Sequence, residues 1–420
     1  MDGFSPKRKC GFALSRQCCD LTRCHATRIH KHDRVALVKK PDVKPKVQLA
    51  ATVLACLSVI LFVFTFYDFT SPGRFFSVLA MVVYLLALHY MALWFLVSRR
   101  SGALRARIAV VNVSLLIVTV AVLSVGAEVF LRFMYRDVTT TADNLSYFSK
   151  QWLKTVRYNR WGFRERELGP VRPPRTYRIA VIGDSLAYGQ GIAESERFSN
   201  LVEKRLNETG KGRYEVLNFA LPGAETVDEL AFLSRAVLLA RPDFILLQWY
   251  TNDVQGPDDK SQAPEPLTLI PAVLRKNSVL FYLIHRQLDS LQTRLGLVED
   301  SGSYRVARFN DPNSPSSLAA AESMNLFIGI TGKFDIPVGL VLFSESYFDP
   351  DTKLDFLLER MLQFCQARKL RCLDTRPILL PHQGDIKLLA SRLDPHPSAL
   401  ANQLVADRLI ETFRDVWLAR

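Results

Sequence analysis

RIAVIGDSLAYGQGI, residues 178–192, decides how the C-terminal half of this chain is read. Ile179, Ala180, Val181 and Ile182 form an unbroken apolar run, the pattern of a strand buried on both faces of a parallel sheet, and Gly183 permits a sharp turn at its end. Asp184 and Ser185 are thereby delivered to the carboxyl edge of the sheet, where α/β proteins place their chemistry. A serine hydroxyl is a weak nucleophile until a base takes its proton and donors receive the oxyanion. A catalytic Ser185 therefore requires partners elsewhere; without them Gly-Asp-Ser is a turn and a helix cap.

The same pattern repeats downstream. Strand-like runs at 214–220, 243–250, 336–343 and 370–374 alternate with amphipathic segments at 196–207, 227–240, 354–368 and 397–417. Such alternation predicts an α/β fold with a five-stranded parallel sheet, helices on both faces and right-handed crossovers. Residues 256–321 interrupt it as an insertion beside the expected site. Within the insertion 267–295 reads as helical and 302–317 as loop, and His285 reads as a surface or core side chain far from any strand end.

Partners for Ser185 are sought at the other strand ends. The second strand runs into Pro222-Gly223, where a glycine can turn its N–H towards a ligand. The third ends in Tyr250-Thr251-Asn252-Asp253, bringing an amide side chain to the same edge. The N–H groups of Ser185 and Gly223 and the side chain of Asn252 would make three oxyanion donors. Near the C-terminus comes Asp394-Pro395-His396-Pro397. Of the three histidines in the C-terminal half, His396 alone has an acid close by on a short, proline-stiffened loop, so His396 is the candidate base and Asp394 its orienter. The same loop is also an ordinary helix start with Pro397 at the first position.

Composition divides the 420 residues in two: 49% are apolar, more than one soluble domain needs, and the excess sits in runs at 47–67, 75–97 and 108–130, each of bilayer-spanning length. Three transmembrane helices are expected, and the 46 polar residues before the first argue against a cleaved signal peptide. Residues 1–46 hold 12 Lys/Arg against 4 Asp/Glu, the first inter-span turn has only Arg74, and the second has Arg99, Arg100, Arg105 and Arg107. Basic loops stay in the cytoplasm, so everything after the third span is expected outside. The net charge of +13 divides as +8 for 1–46, +4 for 47–137 and +1 for 138–420. A nearly neutral outer part excludes nucleic acid as an expected partner and leaves the membrane as one.

The tail carries Cys10, Cys18, Cys19 and Cys24 with His25, His30 and His32, but no Cys-x-x-Cys pair and little apolar material to fold around a metal, so neither metal nor cofactor is expected. Cys365 and Cys372 fall in the outer part, either as a disulfide or as two free buried thiols. Glu128, with Arg132 four residues on, reads as an anchor at the end of the third span. Residues 137–156 read as polar connector.

Gly-Asp-Ser, Gly223, Asn252-Asp253 and the late Asp394/His396 pair, in that order and spaced by whole strand–helix units, resemble the SGNH or GDSL-like hydrolases. The four residues that name the family are matched by Ser185, Gly223, Asn252 and His396. Asn159, Gly162, Phe163 and Arg164 are similar to the lead-in of membrane-bound bacterial members. The resemblance does not reach the first 46 residues. It implies a flavodoxin-like three-layer α/β/α fold and esterase chemistry without a metal. Two positions depart from the family pattern. Tyr250 stands where Gly is frequent, implying a narrower oxyanion pocket. Leu393 stands where the orienting acid is frequent, with Asp394 one place nearer, so a Ser–His dyad helped by a backbone carbonyl is open beside the triad.

The expected organisation is a disordered basic cytoplasmic tail (1–46), a three-helix membrane domain (47–136), a linker and lead-in (137–177) and an SGNH hydrolase-like domain (178–420). The expected function is a membrane-anchored serine ester hydrolase outside the cytoplasmic membrane of a bacterium, cleaving acyl or acetyl esters, with an envelope polysaccharide or lipid as substrate carrier. An O-acyltransferase to an envelope polysaccharide would share the first half-reaction. A non-catalytic envelope-assembly protein of the same fold is the rival from another class, against which intact Ser185 and His396 speak.

Overall fold

The computed structural model describes residues 104–169, 171–209, 212–254 and 268–418. The basic tail, the first two expected spans and residues 255–267 of the insertion lie outside the described residues.

A long helix, α1 (Leu104–Met134), comes first, and its Val111–Met134 portion is long and apolar enough to cross a membrane. Leu116, Leu123, Phe130 and Phe133 are exposed on it. Helix α2 (Tyr147–Leu153) follows, capped by Ser146, whose hydroxyl accepts from the Ser149 N–H. The stretch read as polar connector thus contains a capped helix, and Thr140, Thr141, Ser146 and Ser149 on it are buried.

The α/β unit begins with β1 (Thr176–Gly183), buried at every position, and the four-residue helix α3 (Ser185–Tyr188). Then come α4 (Phe198–Glu208), β2 (Arg213–Ala220), α5 (Thr226–Ala240) and β3 (Phe244–Trp249). The insertion supplies α6 (Ala272–Arg275), α7 (Val279–Arg294), α8 (Ser301–Phe309) and α9 (Pro315–Lys333). The expected loop at 302–317 is therefore mostly helix. Its turn-rich composition is consumed in caps: the Asp300 carboxylate accepts from the Gly302 and Ser303 N–H groups, and the Ser314 hydroxyl accepts from the Ser317 N–H with Pro315 at the first helical position.

The chain closes with β4 (Val338–Leu342), α10 (Asp355–Ala367), β5 (Arg371–Asp374), α11 (Arg376–Leu379), the short strands β6 (Leu389–Ser391) and β7 (Asp394–Pro397), α12 (Ala399–Thr412) and α13 (Arg414–Trp417). The expected final helix at 397–417 starts two residues later and is broken at Phe413.

All neighbours in the main sheet are parallel, in the order β2-β1-β3-β4-β5, the flavodoxin-like order. Ile179, Val181, Val202, Leu206, Val405 and Phe413 build the core on one face; Ala180, Ile182, Leu233, Ala236, Leu340 and Leu358 build it on the other. Alternate residues of β1 face the two layers, which is why its sequence is apolar without alternation. Cys365, near the end of α10, is disulfide-bonded to Cys372 on β5, with Cα atoms 6.3 Å apart.

Candidate active site

In a doubly wound sheet the helices after β1 and β3 leave on opposite faces, and a crevice opens between those strand ends. Ser185 follows β1 and Asn252 follows β3, so both stand at this crevice. Gly183 precedes Ser185 for want of space rather than for a left-handed turn: a Cβ there would lie 2.5 Å from Gln248 Oε1 and 3.0 Å from the Ala187 Cβ. That Gln248 oxygen accepts from the N–H groups of Asp184 (3.1 Å) and Ala187 (3.0 Å), and Asp184 Oδ1 accepts from the Leu186 N–H at 2.8 Å. The turn carrying Ser185 is thus fixed from inside by a buried amide on the neighbouring strand.

Ser185 Oγ lies 2.8 Å from His396 Nε2, and His396 Nδ1 lies 2.5 Å from Asp394 Oδ1. A carboxylate facing Nδ1 assigns the ring proton to that nitrogen and leaves Nε2 to accept from the serine hydroxyl. The stretch read as a loop is strand β7, paired antiparallel with β6 through Ser391 and Asp394. In a strand, residues two apart point to the same side, so Asp394 reaches the ring from a place where a residue three before the histidine would point away. The His396 N–H also donates to Asp394 Oδ1 at 3.1 Å, and the Tyr347 hydroxyl donates to the Pro395 carbonyl at 2.5 Å.

The stretch after α1 braces this ribbon. Ser391 Oγ donates to the Thr140 carbonyl (2.8 Å), Gln190 Nε2 to the Thr141 carbonyl (3.0 Å) and Thr139 Oγ1 to the Gly191 carbonyl (3.1 Å). Arg164, from the lead-in, donates to the carbonyls of Tyr188, Gly189 and Ile192 at 3.1, 2.7 and 2.8 Å, gripping the end of α3. Asn218 Nδ2 donates to the Ala187 carbonyl at 2.7 Å. These positioning groups carry no catalytic signature in sequence; only Arg164 stood inside a recognisable motif.

The sequence pattern of the GDSL-like lipase/acylhydrolase family matches residues 181–404, just over half of the chain. The chain belongs to this family. Among solved structures, a lipase/acylhydrolase from Enterococcus faecalis is similar at 16% identity over 57% of this chain and 96% of its own, with a TM-score of 0.37. The psychrotrophic esterase EstA from Pseudoalteromonas sp. is similar at 13% identity over 58% and 99%, TM-score 0.35. The acetylxylan esterase Axe2 from Geobacillus stearothermophilus is similar at 14% identity over 58% and 96%, TM-score 0.36. Nothing among curated proteins matches.

In this member of the GDSL-like family Ser185, His396, Asn252 and Tyr250 line one cleft of about 550 Å³, together with Arg305 from the insertion and Glu345 and Lys353 from the β4–α10 connection. Arg305 Nη1 lies 2.9 Å from Glu345 Oε1 and donates to Thr251 Oγ1 at 3.0 Å, tying α8 to the end of β3. Gly223 has φ 73° and sits in a Leu221–Ala224 turn closed by the Ala224 N–H on the Leu221 carbonyl at 3.2 Å. It is not among the residues lining the cleft. His285 is buried against Arg275 and Asp289 in the insertion, also away from the cleft.

Behind the cleft lies a group of buried carboxyls. Burial, then repulsion from Asp184 and Asp228, holds Glu229 well above the usual carboxylate range. Asp253 is raised well above it by burial and by Glu229 and Asp184, and Asp184 is raised by burial. The Asn252 carboxamide stands beside Asp184. Arg197, buried between Glu165 and Glu194, is pushed down to about 10 by desolvation.

Proposed function

We propose that the protein is a membrane-anchored serine esterase whose catalytic unit works outside the cytoplasmic membrane. One observation carries the chemistry: Ser185 Oγ, the His396 ring and Asp394 Oδ1 form a continuous line of hydrogen bonds at 2.8 and 2.5 Å. Ser185 Oγ attacks the ester carbonyl carbon as His396 Nε2 takes its proton. Asp394 stabilises the imidazolium, and the tetrahedral oxyanion is received by the Ser185 N–H and the Asn252 amide; Gly223, the third donor expected from the sequence, does not line the cleft. An amide with one N–H towards Asp184 has a second to offer the oxyanion. The alcohol leaves with the proton from Nε2, and water repeats the sequence on the acyl-serine.

The location is supported by the apolar length of α1, the arginines before it and the Cys365–Cys372 bond, which suits an oxidising compartment. The test is labelling of the detergent-solubilised protein with a fluorophosphonate and hydrolysis of p-nitrophenyl acetate. Ser185→Ala should abolish labelling and lower turnover by about a thousandfold or more. Labelling that persists in the variant overturns the assignment.

A further inference from the structure

Helix α7 has two apolar faces. Val279 and Tyr282 are buried in a cluster with Phe148 and Val138, against which Leu131 of α1 packs. On the far side Ile284, Leu291 and Leu295 are 40%, 50% and 63% exposed, and with half-buried Leu288 they recur at helical spacing as one stripe. A helix in water has use for one apolar face, so the second calls for a partner.

The contacts of α1 indicate which. The Glu128 carboxylate accepts from Ser278 Oγ (2.8 Å) and from the N–H groups of Val279 (3.0 Å) and Leu280 (2.9 Å), the first turn of α7. Arg132, paired with Glu128 at 2.6 Å, donates to the Asn277 carbonyl at 2.9 Å. Glu128 precedes Met134, the end of the apolar portion, by six residues, about 9 Å at 1.5 Å per residue. The start of α7 is therefore level with the last turns of α1. Lys276 and Arg294 stand near the two ends of α7, where long basic side chains reach lipid phosphates from an apolar bed.

We propose that the Ile284–Leu288–Leu291–Leu295 face of α7 rests in the outer surface of the lipid bilayer and seats the catalytic unit on the membrane, which rests on the reading of α1 as a span. Apolar burial in the interface flanked by cations is the energetics of an interfacial helix.

The test uses the full-length protein reconstituted in phosphatidylcholine/phosphatidylglycerol vesicles. A fluorescent amino acid is placed in turn at Leu291, Leu295, Leu123 in α1 and Glu411 on α12, and quenching by lipids with a nitroxide on the upper acyl chain is recorded. Quenching at 291 and 295 severalfold above that at 411, together with quenching at 123, is the expected result. Quenching at 123 with 291 and 295 no better than 411 overturns the proposal and leaves the membrane span standing. Absence of quenching at 123 as well overturns both.

Discussion

Asp394 and His396, two residues apart on one short strand, face each other through Oδ1 and Nδ1 at 2.5 Å. Asp394 is almost wholly buried, and its second oxygen, Oδ2, is buried without a partner among the described residues. Its carboxylate is thus committed to the histidine ring and to the His396 N–H.

Asp394→Asn is expected to keep the fold and lower turnover near neutral pH by about 10³–10⁴-fold, because the amide neither fixes the ring tautomer nor stabilises the imidazolium. His396→Ala should do comparable damage, and the double variant should be little worse than the worse single one. Near wild-type turnover in Asp394→Asn beside an inactive His396→Ala would mean a dyad.

Glu229→Gln tests the buried carboxyls. Neither Glu229 oxygen has a partner among the described residues, and its folded pKa is raised above the ordinary 4.5. The folded state then holds a proton that the unfolded state releases, so stability falls as pH rises from 4.5 to the raised value, by at most about 1.4 kcal/mol per pH unit for this group. The variant should match wild type near pH 4.5 and be the more stable at pH 8 in denaturant titrations. Parallel pH profiles for the two proteins would contradict this.

Arg164→Lys should destabilise the protein by about 2–4 kcal/mol and slow fluorophosphonate labelling, since an ammonium cannot serve three carbonyls that a guanidinium fork reaches together. Thermal denaturation and labelling rate measure the two effects. A variant that matches wild type in both would show that the end of α3 needs no grip.

The Cys365–Cys372 bond closes a short loop at the edge strand β5. Replacing both cysteines with serine should cost about 2–3 kcal/mol and leave turnover per folded molecule unchanged, because neither residue lines the cleft. A loss of turnover at full folding would tie this edge to the site.

Strands β1, β3 and β4 were legible because they are apolar runs buried on both faces, the pattern of a covered parallel sheet; β2 and β5, with Arg213, Glu215, Arg371 and Asp374 in them, were placed by their alternation with helices. Strand ends followed from that, and with them the places of Ser185 and Asn252. The ribbon holding Asp394 and His396 was not legible: two prolines in four residues suggest loop, since each removes a ladder donor, and the pairing that overrides this comes from β6, itself held by the bond of Ser391 to Thr140, distant in sequence. Helices α8 and α9 were hidden because their capping Asp, Ser and Pro are also the residues of loops. Glu128 read as an anchor at the end of the third span, whereas its carboxylate caps a helix 150 residues away, a contact that no local pattern encodes.

The bracing of 137–156 against the site has a last consequence. Were those 20 residues a free linker, the catalytic unit would roam about 25 Å around its point of attachment. Three hydrogen bonds tying Thr139, Thr140 and Thr141 to Gly191, Ser391 and Gln190 of the catalytic unit forbid that swing. With α1 in a bilayer, the height of the Ser185 hydroxyl above the lipid is then fixed by the fold. On the proposed reading an ester would be cleaved only where its own distance from the membrane matches that height, and lengthening 137–156 would extend the reach of Ser185 only if those hydrogen bonds were broken with it.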